Sequence, residues 1–172
     1  VPTDEILPLA ADDIITAENE QRPESPLSLQ LSSHPNFVNS TVFGRLADRC
    51  SQKSLLDALK IATAPWELVD DSTDVRELYA EYGERVLLKR RIGGYDGKGQ
   101  YWLQQTLAAQ IPPGWRNHAI AEQAIDFAEE MSLVGVRSRQ GQCFFYPLTL
   151  NRHQDGILMA SIAPLRRLSS LQ

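Results

Sequence analysis

The chain has 172 residues, of which 42% are hydrophobic and 23% charged, so it can bury a core and is not disordered by composition. Its 17 basic and 22 acidic residues give a net charge of −5, which argues against a general nucleic-acid-binding protein. No apolar run approaches the roughly 20 residues that a membrane-spanning helix needs, and we expect no membrane partner. The cysteines form no CxxC pattern and the histidines are scattered, so we expect a reduced, cytoplasmic protein without a structural metal site.

The first forty residues are acidic and rich in proline. They begin Val1-Pro2-Thr3, with neither an initiator methionine nor a secretory leader, and we expect a longer protein around them. Residues 13–16 suggest a short buried strand, and Ser25 followed by Pro26 predicts the start of a short helix. With the apolar residues at 37–38, this order is typical of the tail of an α/β unit.

From Asp48 onward the pattern favours a small α+β domain. Asp48 is expected to cap a helix that runs to about residue 59 and turns Leu55, Leu56 and Leu59 toward a core. A second helix is predicted over residues 73–82, with an apolar stripe at the i, i+3, i+4 and i+7 positions: Val75, Leu78, Tyr79 and Tyr82. Strands are predicted over residues 86–89, 101–103, 119–125, 131–137 and 143–146, with a hairpin turn at 138–141.

The segment with the strongest functional signal is KRRIGGYDGKGQ, residues 89–100. Its glycines would let backbone N–H groups close around phosphates, and Lys89 adds a positive charge from the preceding strand. It is not a Walker loop, because Ile92 and Gly99 stand where glycine and serine or threonine are needed. It is not a dinucleotide fingerprint either, since no helix pattern follows. From the residues alone, phosphate binding and a glycine-rich hairpin turn both stay open.

Two further segments carry polar groups. Residues 122–130, EQAIDFAEE, offer the backbone of a strand end to a purine edge and then an acid for ribose hydroxyls, although a solvated edge strand explains them as well. Residues 151–157, NRHQDGI, follow an apolar strand and fit a polar loop with an Asp-Gly turn equally well.

Taken together and in this order, these segments resemble the 5-(carboxyamino)imidazole ribonucleotide synthases, a family of ATP-grasp enzymes. The resemblance covers essentially the whole chain and is most specific in GGYDGKGQ, residues 93–100, and HQDGI, residues 153–157. It implies the α/β fold class with an α+β lid. Residues 1–62 would be the remainder of a pre-ATP-grasp domain and connecting helix, and 63–165 the ATP-grasp lid subdomain. Residues 166–172 would lead to an absent C-terminal half.

The resemblance also implies roles for individual residues. Arg49 would contact the nucleotide, Lys89 would reach the ATP phosphates, and the glycine loop would fold over them. The hinge strand 122–125 would hold adenine through its backbone, with Ala124 in place of a common glycine. Tyr95 and Asp96 would also meet the substrate, Asp96 orienting its amine or accepting its proton. The implied ATP-binding residues are Arg49, Lys89, Gly94, Tyr95, Asp96, Gly97, Lys98, Gly99, Gln100, Glu122, Gln123, Ala124, Ile125, the ribose-binding Glu130, and His153.

The activity implied is ATP-dependent carboxylation of 5-aminoimidazole ribonucleotide by bicarbonate, through carboxyphosphate, in purine biosynthesis. The implied cofactors are ATP and Mg²⁺, with the metal ligands in the absent half, and the full-length protein is expected to be a homodimer. The family's substrate-phosphate turn and metal-binding pair are not found here, so we expect the chain alone to be inactive. Another ATP-grasp carboxylate–amine ligase and a non-catalytic nucleotide-binding module are the alternatives.

Overall fold

The computed structural model of the chain describes residues 5–19, 24–94, 99–106, 109–154 and 156–165. It divides into two compact units. Unit 1 holds the described residues up to 94 and those from 99 to 124, and unit 2 holds those from 125 onward. Among the described residues, no helix is both long and apolar enough to cross a membrane.

Most of the helices described in unit 1 begin where a capping side chain precedes them. The helices are α1 (Pro26–Ser33), α2 (Phe43–Ala47), α3 (Arg49–Ala58) and α4 (Val75–Tyr82). Ser25 and Ser28 form a capping box, Asp48 accepts from the N–H of Cys50, and Asp74 accepts from the N–H of the second residue of α4. The predicted starts at Ser25 and Asp48 are confirmed. Helix α2 was not predicted, because it has only five residues and no side-chain cap.

Unit 1 is built on a four-stranded antiparallel sheet in the order β1-β4-β2-β3. Its strands are β1 (Trp66–Val69), β2 (Arg85–Arg90), β3 (Gln100–Gln104) and β4 (Ala119–Gln123). Strand β2 is central, and its Lys89 lies opposite Gln100 on one side and Ile120 on the other. Because side chains alternate along a strand, Val86 and Leu88 point to one face and Leu87 and Lys89 to the other. Strand β1 was missed, and the strand predicted over 119–125 ends at Gln123.

Helix α4 covers the face that carries Val86 and Leu88, both fully buried. The predicted stripe of α4 is confirmed, since Leu78, Tyr79 and Tyr82 are buried. The Tyr82 hydroxyl lies 3.3 Å from a carboxylate oxygen of Glu67. Burial, reinforced by this carboxylate, raises the pKa of Tyr82 to about 12.

Helix α3 contacts the opposite face of the sheet. Its buried residue is Lys53, and Asp57 accepts a hydrogen bond of 2.8 Å from the indole N–H of Trp66. The prediction that Leu59 faces a core is wrong, because Leu59 is the C-cap and is 59% exposed. The contact between α3 and the sheet is therefore polar in its centre.

The N-terminal part of unit 1 carries a parallel β-bridge. It joins Ile15 to Phe37, and both side chains are buried, while Ile14 is 71% exposed. The predicted strand at residues 13–16 is therefore one bridge, and no longer strand is present among the described residues there.

Unit 2 contains five short strands among its described residues: β5 (Glu130–Ser132), β6 (Gly135–Arg137), β7 (Cys143–Phe145), β8 (Thr149–Gln154) and β9 (Ile157–Ile162). One sheet has the order β5-β8-β9, and β6 and β7 form the predicted hairpin. The single strand expected over 131–137 is wrong, because β5 and β6 belong to different sheets. Most of the polar segment expected to be a loop is β8, which pairs with β9, and Gly156 between them has φ of +78°.

Candidate functional site

The glycine loop leaves the end of β2 and returns at β3. The N–H of Arg90 donates to the carbonyl of Gly99 at 2.9 Å, which closes the base of the loop. Gly94 has φ of +86°, and a Cβ atom there would lie 2.8 Å from the Cα of Gly99. A Cβ on Gly99 would lie 2.6 Å from the Cα of Gly94. Only glycine fits where the backbone approaches itself so closely, which explains why glycine occupies positions 94 and 99.

The middle of the glycine loop, between Gly94 and Gly99, holds four of the predicted site residues. Tyr95, Asp96, Gly97 and Lys98 lie outside the described residues, so their roles stay predictions. Gln100 follows directly, at the start of β3, and is exposed beside Lys89.

Arg49, the first residue of α3, is tied to the base of this loop. Its Nη1 donates to the carbonyls of Arg90 at 2.7 Å and Gly93 at 2.9 Å. Its backbone N–H also donates to the carbonyl of Arg91 at 2.9 Å. The guanidinium therefore lies where the loop begins and anchors it, and the nucleotide contact predicted for Arg49 stays a prediction.

An ion pair that the sequence did not predict holds α3 against the same point. Both nitrogens Nε and Nη2 of Arg91 contact the carboxylate of Asp48, with Nε 3.0 Å from Oδ1. The hydrogen bonds from Arg91 hold the pKa of Asp48 below its usual value, although burial opposes them. The residues are 43 positions apart. The one sequence signal at Asp48 was its helix cap, so nothing in the sequence indicated this partner.

Lys89 and Glu122 lie on the face of the sheet opposite α4. Lys89 Nζ is 2.5 Å from Oε2 of Glu122, and Lys53 Nζ is 3.1 Å from the other oxygen, Oε1. The side chains of Lys53 and Glu122 are 8% and 9% exposed, against 27% for Lys89. Two predicted site residues are thus in direct contact, and Lys53 joins them.

The end of β4 is the predicted adenine-binding hinge. The N–H of Gln123 donates to the carbonyl of Pro65 at 3.0 Å. Ala124 is the last residue of unit 1, and Ile125, 54% exposed, begins unit 2. Residues 122–124 of the predicted segment thus belong to unit 1 and residue 125 to unit 2.

Unit 2 carries the two remaining predicted residues, and they are in contact. Glu130 lies on β5 and His153 on β8, with Oε2 of the acid 3.3 Å from Nδ1 of the imidazole. Nearby, Arg152 Nη2 and Glu129 Oε1 lie 3.8 Å apart.

Two further observations concern metal binding and a cavity away from the predicted site residues. Among the described residues, no group of three or more histidine, cysteine, aspartate or glutamate side chains could hold a metal ion. A surface cavity of about 1070 Å³ lies at the start of α4, lined by Asp74, Arg76, Gln105 and Arg116 among others. No predicted site residue that the structure describes lines this cavity.

The close approach of Gly94 and Gly99 lies beside the strand end that carries Lys89, and the roles predicted for these residues stay predictions. The family model for the ATP-grasp domain matches residues 54–172, more than half of the chain. The chain belongs to the ATP-grasp family. The predicted fold class, a mixed helix and sheet structure of the ATP-grasp type, is therefore confirmed.

Several relatives of this chain carry the name N5-carboxyaminoimidazole ribonucleotide synthase. The chain is 47% identical over 150 residues to N5-carboxyaminoimidazole ribonucleotide synthase of Escherichia coli, a match covering 87% of this chain and 42% of that protein. It is 45% identical over 157 residues to the Haemophilus influenzae protein of the same name, covering 91% and 43%. The crystal structure of N5-carboxyaminoimidazole synthetase from Staphylococcus aureus complexed with ADP aligns with a TM-score of 0.76 at 29% identity, covering 90% and 42%. The chain thus spans less than half the length of these relatives.

Proposed function

We propose that this chain is the phosphate-binding lid and adjoining helix of an N5-carboxyaminoimidazole ribonucleotide synthase. The observation that carries the proposal is Lys89, partly exposed at the end of β2, beside a backbone crossing that admits only glycine at residues 94 and 99. The name shared by relatives 47% and 45% identical to this chain supports the substrate assignment. The division into an α/β remainder over 1–62 and a lid over 63–165 belongs to the same proposal.

In this proposal Lys89 supplies a positive charge for the ATP phosphates, and the loop supplies backbone N–H donors. Such groups stabilise the charge that develops on a transferred phosphoryl group when they are already in position. Arg49 holds the start of the loop through two carbonyls, so its proposed role joins nucleotide contact to loop anchoring. The Staphylococcus aureus relative was crystallised with ADP, which agrees with a nucleotide site. Glu130 and His153 stay proposed nucleotide-contacting residues on the sequence resemblance alone.

The proposed reaction has two steps. An oxygen of bicarbonate attacks the γ-phosphorus of ATP, ADP leaves, and carboxyphosphate forms. The exocyclic amine of aminoimidazole ribonucleotide then attacks the carboxyl carbon, phosphate leaves, and the amine loses a proton. Asp96 is proposed to orient that amine or accept its proton, and Tyr95 to contact the same substrate. A closed loop would keep water from the mixed anhydride.

Magnesium is implied for phosphoryl transfer in this family, but the described residues do not fit a metal site. We therefore derive no step through a metal ion and propose that its ligands lie in a part of the protein outside these 172 residues. A homodimer and a cytoplasmic location are proposed for the longer protein. The two free cysteines, Cys50 and Cys143, agree with a reducing compartment.

The test replaces the matching segment of the Escherichia coli relative with this chain and measures ATP turnover. We expect turnover that depends on both bicarbonate and aminoimidazole ribonucleotide, and a loss of at least about a hundredfold for the Lys89→Met chimera. Lys60→Met, at an exposed position, is the matched control for loss of a positive charge. Turnover driven by glycinamide ribonucleotide instead would support a different ATP-grasp ligase. Turnover unaffected by Lys89→Met would refute the phosphate-binding role.

A further inference from the structure

Helix α3 carries two positive charges on one side, Arg49 and Lys53. Arg49 and Lys53 are four residues apart, so they lie on the same side of the helix. Arg49 holds the loop base, whereas Lys53 is 6% exposed and is the buried residue of α3. Lysine is rarely buried unless its charge is paired, because the ammonium group loses its hydration when it leaves water. The position of Lys53 therefore calls for an explanation.

The ammonium group of Lys53 uses all of its hydrogen-bonding capacity. It donates to Thr63 Oγ1 at 2.9 Å and to the carbonyl of Ala64 at 2.7 Å, and it lies 3.1 Å from Glu122 Oε1. Three donors meet three acceptors. The first two contacts fix the segment before β1, and the third is an ion pair with a carboxylate that is itself 9% exposed.

The same carboxylate also binds Lys89, so one buried negative charge is shared by two lysines. Oε1 of Glu122 faces Lys53 and Oε2 faces Lys89. The neighbouring acid of α3, Asp57, is engaged with the indole of Trp66. Without a charge on residue 53, Lys89 would be the one described cation paired with the buried carboxylate of Glu122. Moving the Lys89 ammonium group toward a phosphate would then leave the Glu122 carboxylate without a described counter-ion.

We propose that Lys53 is a positioning residue of the nucleotide site: it neutralises Glu122 and so keeps Lys89 available for phosphate. The inference rests on the proposed function, since it takes Lys89 to be the phosphate-binding lysine. Lys53 itself touches no nucleotide in this account. Its effect is electrostatic and passes through Glu122.

The first experiment measures ATP affinity of the chain by calorimetric titration. Lys53→Gln keeps a donor for Ala64 but removes the charge, and Lys53→Met removes both. We expect each to weaken ATP binding about tenfold, which corresponds to about 1.4 kcal/mol. Lys53→Arg should restore affinity to within about threefold, and Lys60→Met, a charge loss at an exposed position, should have no effect.

The decisive variant is Lys53→Gln combined with Glu122→Gln. If Lys53 acts by neutralising Glu122, removing that carboxylate as well releases Lys89. The adenine contact proposed for residue 122 is made by its backbone, which Gln keeps, so ATP affinity returns to within about threefold of the parental value. If Lys53 only fixes the segment at Thr63 and Ala64, the double variant stays as weak as the single one. That second result would overturn the proposal.

A nucleotide-free measurement separates failure of this proposal from failure of the proposed function. The coupling between Lys89 and Glu122 is obtained from urea unfolding of Lys89→Met, Glu122→Gln and their combination, first in the parental chain and then in the Lys53→Gln background. We expect a larger coupling once residue 53 has lost its charge, because Lys89 then neutralises the carboxylate without help from α3. An unchanged coupling would overturn the proposal whether or not ATP binds. The larger coupling, together with turnover of the Escherichia coli chimera that is unaffected by Lys89→Met, would count against the proposed function alone.

Discussion

Replacing Asp48 separates a helix cap from an ion pair, because one carboxylate does both. The cap is the acceptor for the N–H of Cys50 at 2.9 Å, an interaction that stabilises by about 1 kcal/mol in general. The pair with Arg91 is partly exposed, with side chains 14% and 32% accessible, so we place its contribution at about 1–1.5 kcal/mol, between surface and buried pairs. Asp48→Ala should therefore lower the free energy of unfolding by about 2–2.5 kcal/mol, and Asp48→Asn, which keeps a cap, by about 1–1.5 kcal/mol.

Urea unfolding followed by tryptophan fluorescence is a suitable assay, because Trp66, Trp102 and Trp115 all lie in unit 1. With a urea dependence of about 2 kcal/mol/M, the alanine variant should unfold at a midpoint roughly 1 M lower. Asp126→Asn, an exposed acid in unit 2, controls for the loss of one negative charge.

The stability contributed by the Asp48–Arg91 pair depends on pH in a direction that the pKa of Asp48 fixes. Because Arg91 holds the pKa of Asp48 below its ordinary value of 3.8, the stability from this pair is fully present above that value and is lost as pH falls through the folded-state pKa. The difference between the parental chain and Asp48→Asn should thus shrink below about pH 3.8. Equal stability of the two at pH 7, or a difference that stays constant into acid, would refute the reasoning.

Three other predictions address the core, the sheet and the loop. The raised pKa of Tyr82, about 12, predicts that unit 1 loses stability as pH rises from 10 to 12, since the unfolded chain ionises first. Burial also raises the pKa of Tyr79, so Tyr82→Phe should reduce this sensitivity without abolishing it, as urea midpoints at pH 9 and pH 11 would reveal. Leu88→Ala should cost about 2–5 kcal/mol because Leu88 is fully buried, whereas Leu68→Ala, at a residue 37% exposed, should cost much less, and equal losses in urea unfolding would contradict the assigned core. Gly94→Ala should weaken ATP binding far more than Gly93→Ala: both residues have positive φ, but a Cβ at Gly94 meets Gly99 at 2.8 Å while one at Gly93 meets nothing within 4 Å. Similar affinities for the two alanine variants would show that the crossing does not matter for the nucleotide.

Local signals in the sequence were sufficient for the capped helices and the central strands. Ser25 and Asp48 mark helix starts, and the stripe through Leu78 and Tyr82 predicts the buried side of α4. These features depend on neighbours within one or two turns, so a single sequence contains them. Strand β1 was missed because its four residues follow a proline and carry no alternation strong enough to be recognised.

The candidate site could be predicted residue by residue only through the family resemblance. Composition and spacing left the glycine loop open between phosphate binding and a hairpin turn. The sequence alone did not indicate which charged side chains pair with one another. Lys53, Lys89 and Glu122 meet because β4 pairs with β2 and α3 packs over that face, and the pairing is set by tertiary structure.

The same reason explains the error at α3. Amphipathic spacing placed Leu55, Leu56 and Leu59 toward a core, but the first two are half-buried and Leu59 is exposed. The fully buried residue of α3 is Lys53, which is accommodated by Glu122, an acid on a strand far along the chain. Buried ion pairs of this kind follow no local period, and their long sequence separation hides them from pattern reasoning.

Binding of the ATP phosphates by Lys89 and the glycine loop can be tested by titrating the ¹⁵N-labelled chain with ATP. We expect saturable amide shifts at Gly94 and Gly99 and along the end of β4, abolished by Lys89→Met and retained in Lys60→Met. Saturable shifts confined to the cavity around Arg76 and Gln105, or shifts at the loop that persist in Lys89→Met, would contradict it.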